Sequence, residues 1–188
     1  MTGIASRAQL RMSFLRYALV LVPLILLLGT LSGRASNSGY SNAWFAALDK
    51  PAAMPPGWVF PVAWTTLYIL LGLSAAMILH ARGARGRRLV LILFAVQMAL
   101  NYLWSPLFFA WHQTVAALIV ILAMIGLSAA VAALLWWIRK PAALLMLPYL
   151  AWLCFAAGLT FEIIRLNPDA AELVPGGSSS DIIDETKL

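Results

Sequence analysis

Few residues in this 188-residue chain could do chemistry, and most of those are aromatic or amide rather than acidic. One carboxylate, Glu162, falls inside an apolar run, and Arg165 follows three positions later, the spacing of a local ion pair on a helix. A proton relay is the other use of such an acid. His80 and His112 stand at no ligand spacing from each other or from another acid or thiol, so no metal site is expected. No phosphate loop and no nucleophile–base pair is visible, and no catalytic residue is assigned. Cys154 is alone, which excludes an internal disulfide. What remains is a rich set of aromatic side chains and two mid-run amides, Gln97 and Asn101.

These residues fall into stripes if each is set about 100° from the last on a helix. Phe60, Trp64 and Tyr68 form one stripe; Gln97, Asn101, Trp104 and Phe108 a second; Tyr149, Trp152, Ala156 and Thr160 a third. For a single tryptophan, packing or an interfacial belt is the plain reading, and Trp136 and Trp137 read as such a belt. Three aromatic faces together point to a pocket for a flat, largely apolar ligand, with Asn101 as the polar group that orients it.

The elements that position them are membrane helices. The chain is 63% hydrophobic and 11% charged, against about 45–50% and about 25% in soluble domains. So few charges cannot cover a soluble surface. Five apolar runs, roughly 13–33, 58–80, 89–110, 114–138 and 142–165, each reach the length that crosses a bilayer, about 20 residues. The expected fold is an all-α bundle of five transmembrane helices over residues 13–167. A basic segment, 1–12, precedes it, and a polar acidic tail, 168–188, follows and is expected to be disordered. The first run could alternatively be a cleaved signal peptide, although it is long for one and no clean cleavage motif follows. The net charge of +6 comes from arginines between the runs, so it reads as a topology signal and not as a nucleic-acid surface. In the third run Ala95 and Ala99 form a small-xxx-small pair facing away from Asn101, a surface on which two helix backbones can approach.

The strings "WFAALDKPAAMPPGWVFPVAWTTLY", "LNYLWSPLFF" and "LPYLAW…GLTFEIIRLN" resemble the TspO/MBR family, the tryptophan-rich sensory proteins and translocator protein (peripheral benzodiazepine receptor). The resemblance covers about residues 40–167. It implies a five-helix membrane protein, usually a dimer, that binds porphyrins such as protoporphyrin IX or haem as ligand and needs no obligatory cofactor. Sterols are ligands of mitochondrial members. It implies that the proline-rich segment with Lys50, Pro51, Pro55 and Pro56 lids a pocket lined by Trp44, Phe45, Trp64, Asn101, Trp104, Tyr149, Trp152 and Ala156. The dimer would use Ala95 and Ala99.

The chain departs from the family pattern in places. The usual tryptophan two residues after K-P is Ala53 here, and that tryptophan is implicated, with the one matching Trp152, in light-dependent porphyrin breakdown. Phe161 replaces the tyrosine of the family's cholesterol motif, and Thr160 replaces an asparagine. The implied function is therefore porphyrin binding by a sensor or regulator, or tetrapyrrole handling. A porphyrin-degrading photo-oxidative enzyme and a tetrapyrrole or sterol transporter are the alternatives. The setting implied is a bacterial cell envelope, among membrane lipids.

Orientation follows from charge. The N-terminus and the second and fourth loops carry Arg7, Arg11, Arg16, Arg82, Arg85, Arg87, Arg88, Arg139 and Lys140, while the opposite side holds Arg34, Lys50, Arg165 and Lys187. The positive side is expected to be cytoplasmic, with the N-terminus. Reporter fusions after residues 45 and 85 should land on opposite sides of the membrane, and a shared side would refute this topology.

Overall fold

The structure is a computed structural model that describes residues 7–173. Its helices are α1 (Arg7–Ala35), α2 (Ala43–Ala47), α3 (Val59–His80), α4 (Arg87–Ser105), α5 (Thr114–Ile138) and α6 (Lys140–Leu166). There is no strand among the described residues. Five segments are long and apolar enough to cross a membrane: Met12–Ala35, Val59–His80, Arg87–Ala110, Thr114–Ile138 and Lys140–Leu166. The all-α five-span expectation holds.

Local chemistry explains the breaks. In the basic loop after α3, Gly83 and Gly86 take φ of 81° and 78°, the left-handed conformation that suits glycine. Pro106 has no N–H to give to the turn before it, and α4 widens there into a π-helical turn, Pro106–Ala110. The Trp111 N–H closes that turn on the Pro106 carbonyl at 2.9 Å. Between α5 and α6 the chain leaves the helical conformation at Arg139 alone, and Pro141 sits in the first turn of α6, where its missing N–H costs nothing.

The five long helices close into a ring in the order α1, α3, α6, α5, α4. Lipid tails are as apolar as leucine, so helix association rests on close packing and interhelical hydrogen bonds. Both are present. A Cβ on Gly72 would lie 2.8 Å from the Cα of Val22, so α1 and α3 meet backbone to backbone there. A Cβ on Gly29 would overlap the ring of Tyr68. Ser74 of α3 donates to the Ala142 carbonyl of α6 at 3.0 Å, and Ser128 of α5 to Gln97 of α4 at 3.4 Å.

The long first loop is a docked structure. Asn42 caps the short helix α2 by accepting the Phe45 N–H at 3.0 Å, and its Nδ2 donates to the Phe109 carbonyl at 3.1 Å. Lys50 Nζ donates to the carbonyls of Ala46 and Leu48 at 3.0 and 2.9 Å, closing the end of α2. The chain then stays ordered past the expected boundary at residue 167. Asn167 bridges both backbone groups of Asp49, accepting its N–H at 2.8 Å and donating to its carbonyl at 2.9 Å. Trp44 donates its indole N–H to the carbonyl of Ala170, at 2.6 Å, and Ala170 is buried. Residues 168–173 therefore belong to the fold and not to a disordered tail, because Ala170 is buried and supplies the acceptor for the Trp44 indole. Residues 174–188, the rest of that expected tail, lie outside the described residues. The basic segment 1–12 is also divided, since α1 already begins at Arg7. Residues 1–6 lie outside the described range.

Gly72→Val should overpack the α1–α3 contact at a cost of about 1–3 kcal/mol. The expected reading is a lowered thermal unfolding midpoint of the protein in micelles, and an unchanged midpoint would mean that the two backbones can separate freely.

Candidate ligand cavity

A cavity of about 750 Å³ opens between α1, α3, α4, α6 and the first loop. Ligand sites run from about 300 to 1,000 Å³. Three of its walls are tryptophans on three helices: Trp64 of α3, Trp104 of α4 and Trp152 of α6. Trp64 and Trp152 meet nearly edge to face, centroids 6.4 Å apart at 82°, and Trp64 continues along α3 to Tyr68 at 5.3 Å. Phe60 braces Trp152 from one side at 6.0 Å and 76°. Trp104 lies parallel to Phe108, 5.1 Å and 12°, which fixes the plane of its indole. Each ring is held by another ring, so the aromatic surface is shaped before any ligand arrives.

The structure sorts the sequence-expected residues into three places. Trp64, Trp104, Trp152 and Ala156 line the cavity. Asn101 and Tyr149 do not line it. Asn101 is buried behind Tyr68, its Oδ1 accepting the Tyr68 hydroxyl at 2.9 Å and its Nδ2 donating to the Tyr149 hydroxyl at 3.0 Å. The Tyr149 hydroxyl in turn points to the sulfur of Met124 at 3.8 Å. The stripe rule put Asn101 on the inner face correctly, but the amide spends both its ends on protein, and Tyr68 is the group of this network that meets the cavity. Trp44 and Phe45 are also buried away from it, in the cluster that seats the loop. Trp44 stacks on His112, centroids 4.2 Å apart at 11°. Of the loop, Asn37 to Ser41 and Gly57 reach the cavity, while Lys50, Pro51, Pro55 and Pro56 do not. The last four shape the loop: the Tyr40 hydroxyl donates to the Pro55 carbonyl at 2.8 Å, and Lys50 Nζ lies 5.1 Å from the Phe45 ring centroid.

The contribution of α1 was missed. Gly29, Thr30, Gly33 and Arg34 line the cavity, and the run from Asn37 to Ser41 completes its mouth. Gly29 and Gly33 form a G-x-x-x-G spacing, the one sequence signal that could have marked this face for close approach. Two buried polar atoms on lining residues have no hydrogen-bond partner, the Trp104 indole nitrogen and the Ser38 hydroxyl. A shallower groove between α3 and α6 shares Trp152 and Phe155 with the cavity. Elsewhere, Glu162 and Arg165 make the expected local ion pair at 3.2 Å. Ala95 and Ala99 are exposed on the outer face of α4.

A model of the TspO/MBR family matches residues 19–166. The chain is similar to protein CrtK of Rhodobacter capsulatus, 41% identical over 129 residues that span 68% of this chain and 80% of that protein. It is similar to a tryptophan-rich sensory protein of Cereibacter sphaeroides, 40% identical over 67% of this chain and 78% of the relative. The translocator protein of Bos taurus is 39% identical over 74% of this chain and 84% of its own length.

The Tyr68–Asn101–Tyr149 network yields a stability prediction. Asn101→Leu leaves two tyrosine hydroxyls without their partner and should cost about 1–2 kcal/mol. A double-mutant cycle with Tyr149→Phe, read by thermal unfolding in micelles, should show the two positions coupled. Additive effects would mean that the amide and the hydroxyl do not depend on each other.

Proposed function

The chain belongs to the TspO/MBR family, and from that membership together with the cavity we propose that this multi-pass membrane protein binds porphyrin-type ligands, protoporphyrin IX or haem, between its helices. In this reading it works as a sensor or regulator, or in tetrapyrrole handling. The observation that carries the reading is the meeting of Trp64, Trp104 and Trp152, from three helices, around one cavity of about 750 Å³. A flat macrocycle gains most from flat partners, and each aromatic contact adds about 0.5–1.5 kcal/mol beyond area burial. In this reading the first loop, which meets the cavity at Asn37–Ser41 and Gly57 and is held by Trp44, Asn167 and Ala170, would act as its roof. The bound protein would sit in a bacterial cell envelope with its N-terminus cytoplasmic. It would be a homodimer through the exposed Ala95–Ala99 face of α4, which the mass of the protein in micelles tests directly: a monomer removes the idea.

A second reading, translocation of a tetrapyrrole or sterol, has one observation in its favour. The groove that shares Trp152 and Phe155 with the cavity lies on the outside of α3 and α6, toward lipid. Uptake of porphyrin into protein-containing vesicles above that of empty ones would favour it, and equal uptake would remove it. The photo-oxidative reading is weakened by Ala53, which is exposed in the loop at the position where the family resemblance implies a tryptophan.

Binding tests the leading reading. Trp152→Ala should weaken protoporphyrin IX binding about tenfold, roughly 1.4 kcal/mol, when read by quenching of intrinsic fluorescence. Trp137→Ala should leave it unchanged, since Trp137 is 88% exposed at the far end of α5. Both variants are first shown to be folded. Equal affinities throughout would place the porphyrin on the lipid-facing surface. Illuminating the complex in air should leave the porphyrin band in place, and rapid conversion to a defined product would return the enzyme reading to first place.

A further inference from the structure

The cavity has one wall unlike the others. Trp64, Trp104 and Trp152 face a rim built by the last turn of α1 and the turn after it, where Arg34, Asn37, Ser38 and Ser41 stand. Arg34 makes no ion pair among the described residues, where Glu162 with Arg165 is the single pair. The other cation of this loop region, Lys50, is committed to the carbonyls of Ala46 and Leu48. Asp49, the nearest acid in the sequence, has its backbone engaged by Asn167 and no ion-pair partner. Arg34 also occupies the carbonyl end of α1, where the helix dipole favours a cation. A guanidinium stays charged at any working pH and offers a planar fork that matches a carboxylate. Asn37, Ser38 and Ser41 complete this rim beside the tryptophan walls, and none of them carries a charge that competes with Arg34.

We propose that Arg34 makes this cavity selective for flat apolar ligands that carry an acidic group on one edge. The inference rests on the porphyrin reading and adds an orientation to it. The aromatic body lies among the three tryptophans, and the acid faces the rim at Arg34. A neutral ligand of the same shape keeps the stacking and loses the rim. Because Arg34 is exposed at the mouth, solvent screens part of the attraction.

The test compares protoporphyrin IX with its dimethyl ester, in uncharged maltoside micelles so that no anionic lipid competes. The wild-type protein should bind the diacid about three- to tenfold more tightly than the ester, the range of one charge-assisted contact at a partly open site. Arg34→Gln should bring that ratio to about one, and Arg34→Lys, which keeps the charge but loses the fork, should give a ratio between the two. Trp152→Ala should weaken both ligands equally. A ratio of one in the wild type, or a ratio that survives in Arg34→Gln, overturns the proposal while leaving the cavity reading intact if Trp152→Ala still weakens both. Binding of neither ligand, or binding indifferent to Trp152, overturns the porphyrin reading and this proposal with it.

Discussion

A side-chain amide at the depth of lipid tails has no water to bond, so its partners must come from the protein. Two amides, Gln97 and Asn101, are buried at that depth, and Asn101 is the one whose oxygen and nitrogen are both paired. Its oxygen takes the hydroxyl of Tyr68 from α3, and its nitrogen gives to Tyr149 of α6. Three helices are thereby tied at one point. Tyr68 can reach only because Gly29 of α1 leaves space for its ring, which draws the fourth helix in. Met124 of α5 receives the far end of the network. Each of the five spans thus answers, directly or one step removed, to a single buried polar group. The cavity is what lies on the other side of Tyr68.

The roof has its own logic. A loop over an apolar hollow carries backbone and side-chain polar groups that must not be buried alone. Here they are paired with groups that come later in the sequence: the Phe109 carbonyl in the π turn, Asn167 at the end of α6, and the Ala170 carbonyl beyond it. His112, in the left-handed conformation at φ 55°, presents its ring flat against Trp44. The proline-rich run therefore works as a spacer of set shape between two anchored points, and its prolines need touch no ligand to matter.

Much of this was legible beforehand, for physical reasons. Lipid imposes long apolar runs, so the five spans stand out, and helical periodicity grouped Trp64, Trp104 and Trp152 into the stripes that meet at the cavity. The boundaries shifted because helices continue beyond the apolar layer, as α1 does through its basic first turns. Periodicity reports a face but not its occupant, which is why Asn101 pointed inward as expected and yet met tyrosines rather than open space. The role of Trp44 was hidden for a similar reason: its partners, His112 and Ala170, lie far along the chain. Helix α2 spans only Ala43–Ala47 and depends on docking, so no local pattern could announce it. Arg34 was visible only as a topological charge, because nothing in its neighbours tells that the chain folds it back over a hollow.

The latch on the loop also sets an order of events. Trp44 is separated from its acceptor on Ala170 by 126 residues, and Asp49 from Asn167 by 118. A ribosome delivers the N-terminal part first, at about 5–20 residues per second. The loop is thus made early and waits through the synthesis of four further spans before the groups that hold it exist. During that interval Trp44 and Phe45 have neither their seat nor their clasp, while α1 and α3 are already able to pair. The hollow is walled before it is roofed, and the last residues to leave the ribosome in the described fold are the ones that close it.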